Sequence, residues 1–278
     1  MKNSVINLNF WELAGPVGVW PRLIDSFLPR PSPLRFGAPA DAPQPSRRGS
    51  GRGGPRVGLL GGSFNPAHGG HRRISLFALR ALGLDEVWWL VSPGNPLKPS
   101  EGMASLDARY RSAVEQARLA PIRVTAIERE LGTRYTVDTI AALQARYPKR
   151  DFVWLMGSDN LATFHKWREW RRIAWSVPIA VIARPGYEMA TVASPAAALL
   201  RRFTMDAARF RNSQFRNRGE WSAPILVTLR FDPDARSATA IRAGEPNWAS
   251  RYGNAPIRDQ ITHRLITHPG TQPEPESA

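Results

Sequence analysis

Two histidines three positions apart, His68 and His71, stand among small residues in the stretch Gly61-Gly62-Ser63-Phe64-Asn65-Pro66-Ala67-His68-Gly69-Gly70-His71. Glycines let a backbone come close to a ligand. A helix start behind them offers unpaired N–H groups and the positive end of the helix dipole. Imidazoles at that junction can both reach one phosphate group, so the stretch suits a phosphoanion. The spacing His-x-x-His taken alone leaves two plainer readings open, a pair of helix-start residues or two metal ligands. A second set lies near the C-terminus, where Ser237 and Thr239 precede Arg242 by five and three residues. Hydroxyls ahead of a helix and a guanidinium one turn later can share a triphosphate. A Ser or Thr before a helix is also an ordinary cap.

These residues need elements to hold them. A short apolar run over 57–61 reads as a buried strand that breaks at the glycine pair. The chain restarts at Gly69-Gly70-His71 as an amphipathic helix with Ile74, Phe77, Ala78, Ala81 and Leu82 on one face. From Arg56 on, apolar runs alternate with amphipathic stretches. Strands are predicted at 57–61, 86–92, 122–127, 152–156, 178–183 and 225–231. Helices are predicted near 70–82, 106–120, 136–147, 167–175 and 195–210. Strands apolar nearly throughout and separated by helices imply an α/β fold, a Rossmann-like doubly wound parallel sheet with helices on both faces. Right-handed crossovers then gather the strand C-termini, and any ligand, along one edge. The strand at 57–61 should be central and beside the switch point.

Residues 1–54 differ from the rest. Pro, Arg, Gly and Ser crowd 29–55, a composition that cannot bury enough apolar surface to order itself, so disorder is expected there. The first 28 residues lack the basic start, apolar centre and cleavage site of a secretory signal. One domain is expected over 55–267, with a variable insertion at about 185–224 and a frayed tail over 268–278. The 278 residues include no cysteine, which removes disulfides, thiolate metal sites and cysteine nucleophiles. No apolar run is long enough to span a bilayer. The formal charge of +15 (38 Lys and Arg against 23 Asp and Glu) favours anionic partners. The basic residues form no dense tract with interleaved aromatics and no zinc or helix-turn-helix motif, so no specific nucleic acid and no membrane partner is expected.

The loop lacks the Gly-Lys-Ser/Thr end of a P-loop and the Gly-x-Gly-x-x-Gly of a dinucleotide fold. Gly-Gly-Ser-Phe-Asn-Pro-x-His-x-Gly-His resembles the loop of the nucleotidylyltransferase superfamily, and Ser237-Ala238-Thr239-Ala240-Ile241-Arg242 resembles its Ile-Ser-Ser-Thr-x-Ile-Arg motif. This chain departs from that motif with Arg236 for the isoleucine and Ala238 for the second serine. Ser92-Pro93-Gly94-Asn95-Pro96-Leu97-Lys98, Gly132-Thr133-Arg134-Tyr135-Thr136-Val137-Asp138-Thr139 and Gly157-Ser158-Asp159-Asn160, followed by Phe164-His165-Lys166-Trp167-Arg168, are similar to stretches of bacterial nicotinate-nucleotide adenylyltransferases. The usual Asn-Pro-Pro-His-Lys is shortened here to Asn-Pro-Leu-Lys. The resemblance runs from Arg56 to a helix near His263.

The resemblance implies a division of labour. Backbone groups around Gly61, Gly62, Ser63 and Phe64, with His68, His71, Ser237, Thr239 and Arg242, would bind the ATP phosphates. Asp159, after Gly157, would hold the ATP ribose. Asn95 and Lys98 would lie near the mononucleotide phosphate. Thr136 and Trp167 would frame the nicotinate ring, and backbone N–H groups from Arg168 on would meet its carboxylate. Tyr135 and Asp138 read as structural. The implied partners are ATP and nicotinate mononucleotide, the implied cofactor is Mg²⁺ carried mainly on the ATP phosphates, and the implied compartment is the cytoplasm. Self-association into a homo-oligomer stays open. Nicotinamide mononucleotide or phosphopantetheine as acceptor, and a non-catalytic nucleotide- or RNA-binding protein, are the alternatives.

Overall fold

The protein is described by a computed structural model over residues 54–93, 102–183, 193–216, 223–231, 237–253 and 255–266. Asn95, Lys98 and Arg236, the segment 1–53 and the tail from 267 lie outside the described residues.

The elements run β1 (Arg56–Gly62), α1 (Gly69–Leu82), β2 (Glu86–Val91), α2 (Leu106–Ala117), β3 (Ile122–Thr125), α3 (Ile127–Leu131), α4 (Thr136–Arg146), β4 (Asp151–Gly157), α5 (Ser158–Thr163), α6 (Trp170–Ser176) and β5 (Ile179–Ile182). They continue as α7 (Pro195–Leu200), β6 (Thr204–Met205), α8 (Ala207–Arg216), β7 (Leu226–Leu229), α9 (Ala238–Gly244), β8 (Ile257–Arg258) and β9 (Leu265–Ile266). Seven strands form one parallel sheet in the order β3-β2-β1-β4-β5-β7-β6. The chain steps outward from β1 to β3, then crosses back to β4 on the other flank of β1. The reversal therefore falls between β1 and β4, where a doubly wound sheet opens its crevice. Leu60 lies opposite Leu155 and Gly62 opposite Val91, so β1, β2 and β4 finish at the same edge.

Neighbouring strand residues point to opposite faces, and the core divides accordingly. Leu60, Trp89, Leu82, Tyr110 and Phe210 pack on one side of the sheet. Leu59, Trp88, Ile140, Ile173 and Leu200 pack on the other. Both faces are covered, which is why the strands are apolar without alternation. Gly58, in the middle of β1, leaves no room for a side chain. An added Cβ would lie 2.8 Å from Leu84, 2.9 Å from Leu155 and 3.2 Å from Val87. Gly58→Ala should cost about 1–3 kcal/mol through overpacking, read as a lower thermal midpoint. An unchanged midpoint would mean the two leucines repack freely.

Four elements differ from the periodicity reading. The helix predicted near 195–210 is two helices separated by a 3-10 turn (Arg201–Phe203) and strand β6. The interruption is set by Asp206, whose side chain accepts the Arg209 N–H at 2.8 Å and starts α8 afresh. The described parts of 185–224 thus supply an edge strand and cover both faces of the sheet. Around 167–175 the helix begins only at Trp170, because Glu169 sits at φ 48°. Trp167 instead ends a 3-10 turn, Phe164–Lys166. The strand over 122–127 ends at Thr125, whose hydroxyl accepts the Ile127 N–H at 3.1 Å and opens α3. The helix placed near His263 is a hairpin, β8 and β9, closed by a turn in which Asp259 accepts the N–H groups of Ile261 and Thr262. Asp259 also accepts the Ala126 N–H, and Gln260 the Val124 N–H, both at 2.7 Å. The hairpin so occupies the exposed edge of β3. No helix among the described residues is long and apolar enough to cross a membrane.

Candidate active site

At the end of β1 the backbone turns sharply. A Cβ on Gly61 would come within 3.0 Å of the Trp154 indole. Phe64, at φ 47°, drives its ring into the core, where it is 1% exposed, stacks on Trp89 at 5.1 Å and meets His71 at 4.9 Å. Phe64 therefore anchors the loop through its side chain and can offer a ligand only its backbone.

His68 is the N-cap of α1 and His71 its third residue. The His68 Nδ1 accepts the Gly70 N–H at 3.1 Å, and the His71 Nδ1 accepts the His68 N–H at 3.2 Å. With both Nδ1 atoms used as acceptors, the neutral rings carry their protons on Nε2. The two rings lie 3.9 Å apart. The helix start thus holds two imidazole N–H donors side by side in fixed tautomers. The ring of Trp89 supports them from below, donating to the Ser75 hydroxyl at 2.8 Å, which in turn donates to the His71 carbonyl at 2.8 Å.

Two residues that sequence reading missed hold the loop in place. Arg109 is 1% exposed and donates to the carbonyls of Ser63 (2.8 Å), Ser92 (2.7 Å), Ala104 (3.0 Å) and Pro93 (3.4 Å). Burial lowers its pKa to about 10, which leaves the guanidinium charged at neutral pH. The only sequence signal was a charge on the buried stripe of α2, between Ala108 and Ser112. Asn65 is also buried, donating to the Gly102 carbonyl at 2.9 Å and accepting the Ala104 N–H at 3.1 Å.

The C-terminal motif meets this loop. Arg242 donates to the Asn65 carbonyl at 2.6 Å across 177 residues of sequence, and to the Thr239 hydroxyl at 3.3 Å. Ser237 caps α9, accepting the Ala240 N–H at 3.1 Å. Ser237 is the cap that the plain reading expected, and it starts the helix that Arg242 docks against the loop. On the other flank, Gly157 ends β4 and caps α5, with the half-buried Asp159 in that helix's first turn.

Thr136 is the first residue of α4, and Trp167 stands against Phe164 and Trp154 at 5.4 and 6.3 Å. Arg168 joins the two segments: its guanidinium lies 4.7 Å from the Tyr135 ring centre and 3.8 Å from the Asp138 carboxylate. Behind Thr136, burial pushes the Glu128 carboxyl up to about 7, opposed by hydrogen bonds from Thr139 and Ser92. Sequence reading passed over Glu128 because nothing local marks a carboxylate that tertiary packing half-buries.

The described residues contain no group of three or more His, Asp or Glu able to hold a metal ion. The donors facing the loop are N–H groups and a guanidinium, a set that fits the anionic oxygens of a nucleotide. Such a set suits Mg²⁺ that arrives coordinated by those oxygens and by water.

Comparison with known proteins agrees with this geometry. The sequence profile of the cytidylyltransferase-like family matches residues 59–244. A probable nicotinate-nucleotide adenylyltransferase of Erythrobacter litoralis is 70% identical over 211 residues, covering 76% of this chain and 94% of that protein. One of Parvibaculum lavamentivorans is 53% identical over 189 residues, covering 68% and 92%. Among solved structures, the Plasmodium falciparum nicotinic acid mononucleotide adenylyltransferase complexed with NaAD shares the fold, with a TM-score of 0.50 at 14% identity over 68% of this chain and 83% of that one. The chain belongs to the cytidylyltransferase-like family, among the nicotinate-nucleotide adenylyltransferases.

Proposed function

We propose that the protein transfers AMP from ATP to nicotinate mononucleotide, giving nicotinate adenine dinucleotide and pyrophosphate. The observation that carries this reading is the convergence of His68, His71 and Arg242 on one glycine loop at the C-terminal edge of β1, beside the switch point. The names of the relatives support the acceptor.

In the reaction an oxygen of the mononucleotide phosphate attacks the α-phosphorus of ATP in line. A new P–O bond forms, the bond from the α-phosphorus to the bridging oxygen breaks, and pyrophosphate leaves with the electron pair. The attacking oxygen is already anionic, so no side-chain nucleophile or strong base is required. The protein's task is to align two anions that repel each other and to stabilise the charge that develops. The Nε2–H groups of His68 and His71, the loop N–H groups and Arg242, with Ser237 and Thr239 beside it, would take the triphosphate. Asp159 would take the ribose hydroxyls. Thr136, Trp167 and the backbone at Arg168 would form the wall for the nicotinate ring, with Asn95 and Lys98 serving the mononucleotide phosphate. Mg²⁺ bound to the triphosphate supplies charge neutralisation. The enzyme would act in the cytoplasm, where both substrates are available.

Incubation with ATP, Mg²⁺ and nicotinate mononucleotide should yield dinucleotide and pyrophosphate in equal amounts, read by mass spectrometry and a coupled pyrophosphate assay. Release of orthophosphate, or pyrophosphate without dinucleotide, would overturn the reading.

A further inference from the structure

A chain of polar contacts crosses the C-terminal edge of the sheet from the glycine loop to the start of α4, and one carboxyl sits in its middle. Ser92, the first residue beyond β2, donates its N–H to the Gly62 carbonyl at 3.0 Å, and its own carbonyl accepts from Arg109, which also holds Ser63. The Ser92 hydroxyl faces the Glu128 carboxyl and favours its charged form. The Thr139 hydroxyl lies 3.3 Å from the same carboxyl, 2.9 Å from the Thr133 hydroxyl and 3.3 Å from the Tyr135 carbonyl. Thr139 is fully buried and stands one helical turn after Thr136. The backbone of Glu128 joins in, its carbonyl accepting the Thr133 N–H at 3.0 Å. The loop assigned to ATP and the helix assigned to the acceptor thus meet at Glu128, which Ser92 faces from the end of β2 and Thr139 bonds from α4.

We propose that Glu128 is a positioning residue that sets the separation between the ATP loop and the acceptor wall at Thr136. The proposal rests on the adenylyltransferase reading and adds to it a residue that touches neither substrate. Holding the two walls at a fixed distance matters because a displacement of about 1 Å at a reacting centre can cost around a hundredfold in rate.

The carboxyl is an expensive way to build a strut. Burial raises its pKa to about 7, since leaving water disfavours the charged form more than the two hydroxyls favour it. The groups facing it are hydroxyls, Ser92 from the end of β2 and Thr139 from α4. Of the charged residues on neighbouring elements, Arg109 is committed to carbonyls and Asp138 lies beside Arg168. The sign for stability follows from proton uptake. Between the ordinary carboxylate range and pH 7 the folded state holds a proton that the unfolded state has lost. Stability therefore falls as pH rises through that window and stays lower above it. A neutral isostere should relieve that cost, so a carboxyl kept here against stability points to a role in the site.

The test is Glu128→Gln in the full chain, with Thr139→Val breaking the same link from the other side and Thr139→Ser keeping the hydroxyl. Steady-state kinetics with ATP, Mg²⁺ and nicotinate mononucleotide are read beside thermal midpoints at pH 5 and pH 8. Glu128→Gln should raise the midpoint at pH 8 relative to wild type and leave it near wild type at pH 5. At pH 8 it should raise the KM for the mononucleotide about tenfold with the KM for ATP within about twofold. Thr139→Val should reproduce the KM split, and Thr139→Ser should restore it. Unchanged mononucleotide KM in both Glu128→Gln and Thr139→Val overturns the proposal, as does an equal rise in both KM values. A wild-type protein without activity would instead overturn the functional reading, so the two failures are distinct.

Discussion

His71→Ala is expected to lower kcat by about a hundredfold or more while costing only about 1 kcal/mol of stability. The rate effect follows from the ring's position. Its Nδ1 is occupied by the His68 N–H, so in the neutral ring Nε2 keeps its proton and, in the proposed mechanism, would donate to the phosphate. Removing one preorganised donor to developing negative charge typically costs ~10²–10³ in kcat. The stability effect is smaller because the helix keeps its other starting bonds: His68 still caps Gly70, and Ser75 still bonds the His71 carbonyl. The loss includes one cap hydrogen bond, about 1 kcal/mol, and the ring's contacts with Phe64, His68 and Trp89. Turnover numbers and thermal midpoints measured on the same preparation separate the two. A kcat within threefold of wild type would remove His71 from the mechanism.

Arg109→Met should be the most destabilising of the substitutions considered, and it should inactivate without touching a substrate. Methionine keeps an unbranched stem in the buried slot but returns nothing to the four carbonyls. Two terms oppose each other. Removing the buried cation recovers its desolvation cost, about 3 kcal/mol for a guanidinium pKa that burial lowers to about 10. Losing four hydrogen bonds to a charged group costs about 1.5–3 kcal/mol each, the carbonyls belonging to three half-buried residues and one exposed one. The second term wins by about 3 kcal/mol or more, a fall of about 10 °C in the midpoint for a domain of this size. Because Ser63 and Ser92 are both released, the glycine loop loses its brace and kcat/KM should fall with stability. A midpoint within 2 °C of wild type would show that water or another group satisfies those carbonyls.

The parts of this architecture that were legible in the sequence are those fixed by local signals. Apolar runs broken by glycine or charge marked every strand of the sheet except the two-residue β6, and placed β1 inside the sheet beside the switch point. The glycine pair, the His68 cap and the αL residue Gly83 that ends α1 are all matters of neighbouring residues. The failures share a cause. The break between α7 and α8 depends on Asp206 taking up a cap, Trp167 leaves the helix because Glu169 adopts a left-handed conformation, and the C-terminal hairpin forms because Asp259 and Gln260 find the open edge of β3. None of these is expressed in periodicity.

The candidate site divides in the same way. Its front, the groups proposed to face a ligand, could be picked out because glycines, histidines and a cap followed by arginine carry their chemistry in their types. Its back could not. Arg109 and Asn65 act by satisfying carbonyls and amides brought in from distant segments, and Glu128 is unusual only because the fold half-buries it. A charged residue within a buried helical stripe, as at Arg109, is the one local signal that could have exposed this second layer.

The most direct test of the central claim compares two acceptors at saturating ATP and Mg²⁺ by pyrophosphate release. The wall proposed at Thr136, Trp167 and the backbone at Arg168 should select the nicotinate carboxylate over the amide. A polar pocket built for one group rejects an analogue that leaves its donors unpaired, here by about a hundredfold or more in kcat/KM. That preference for nicotinate mononucleotide is the predicted result. Equal rates, a preference for nicotinamide mononucleotide, or no pyrophosphate from either would contradict the account.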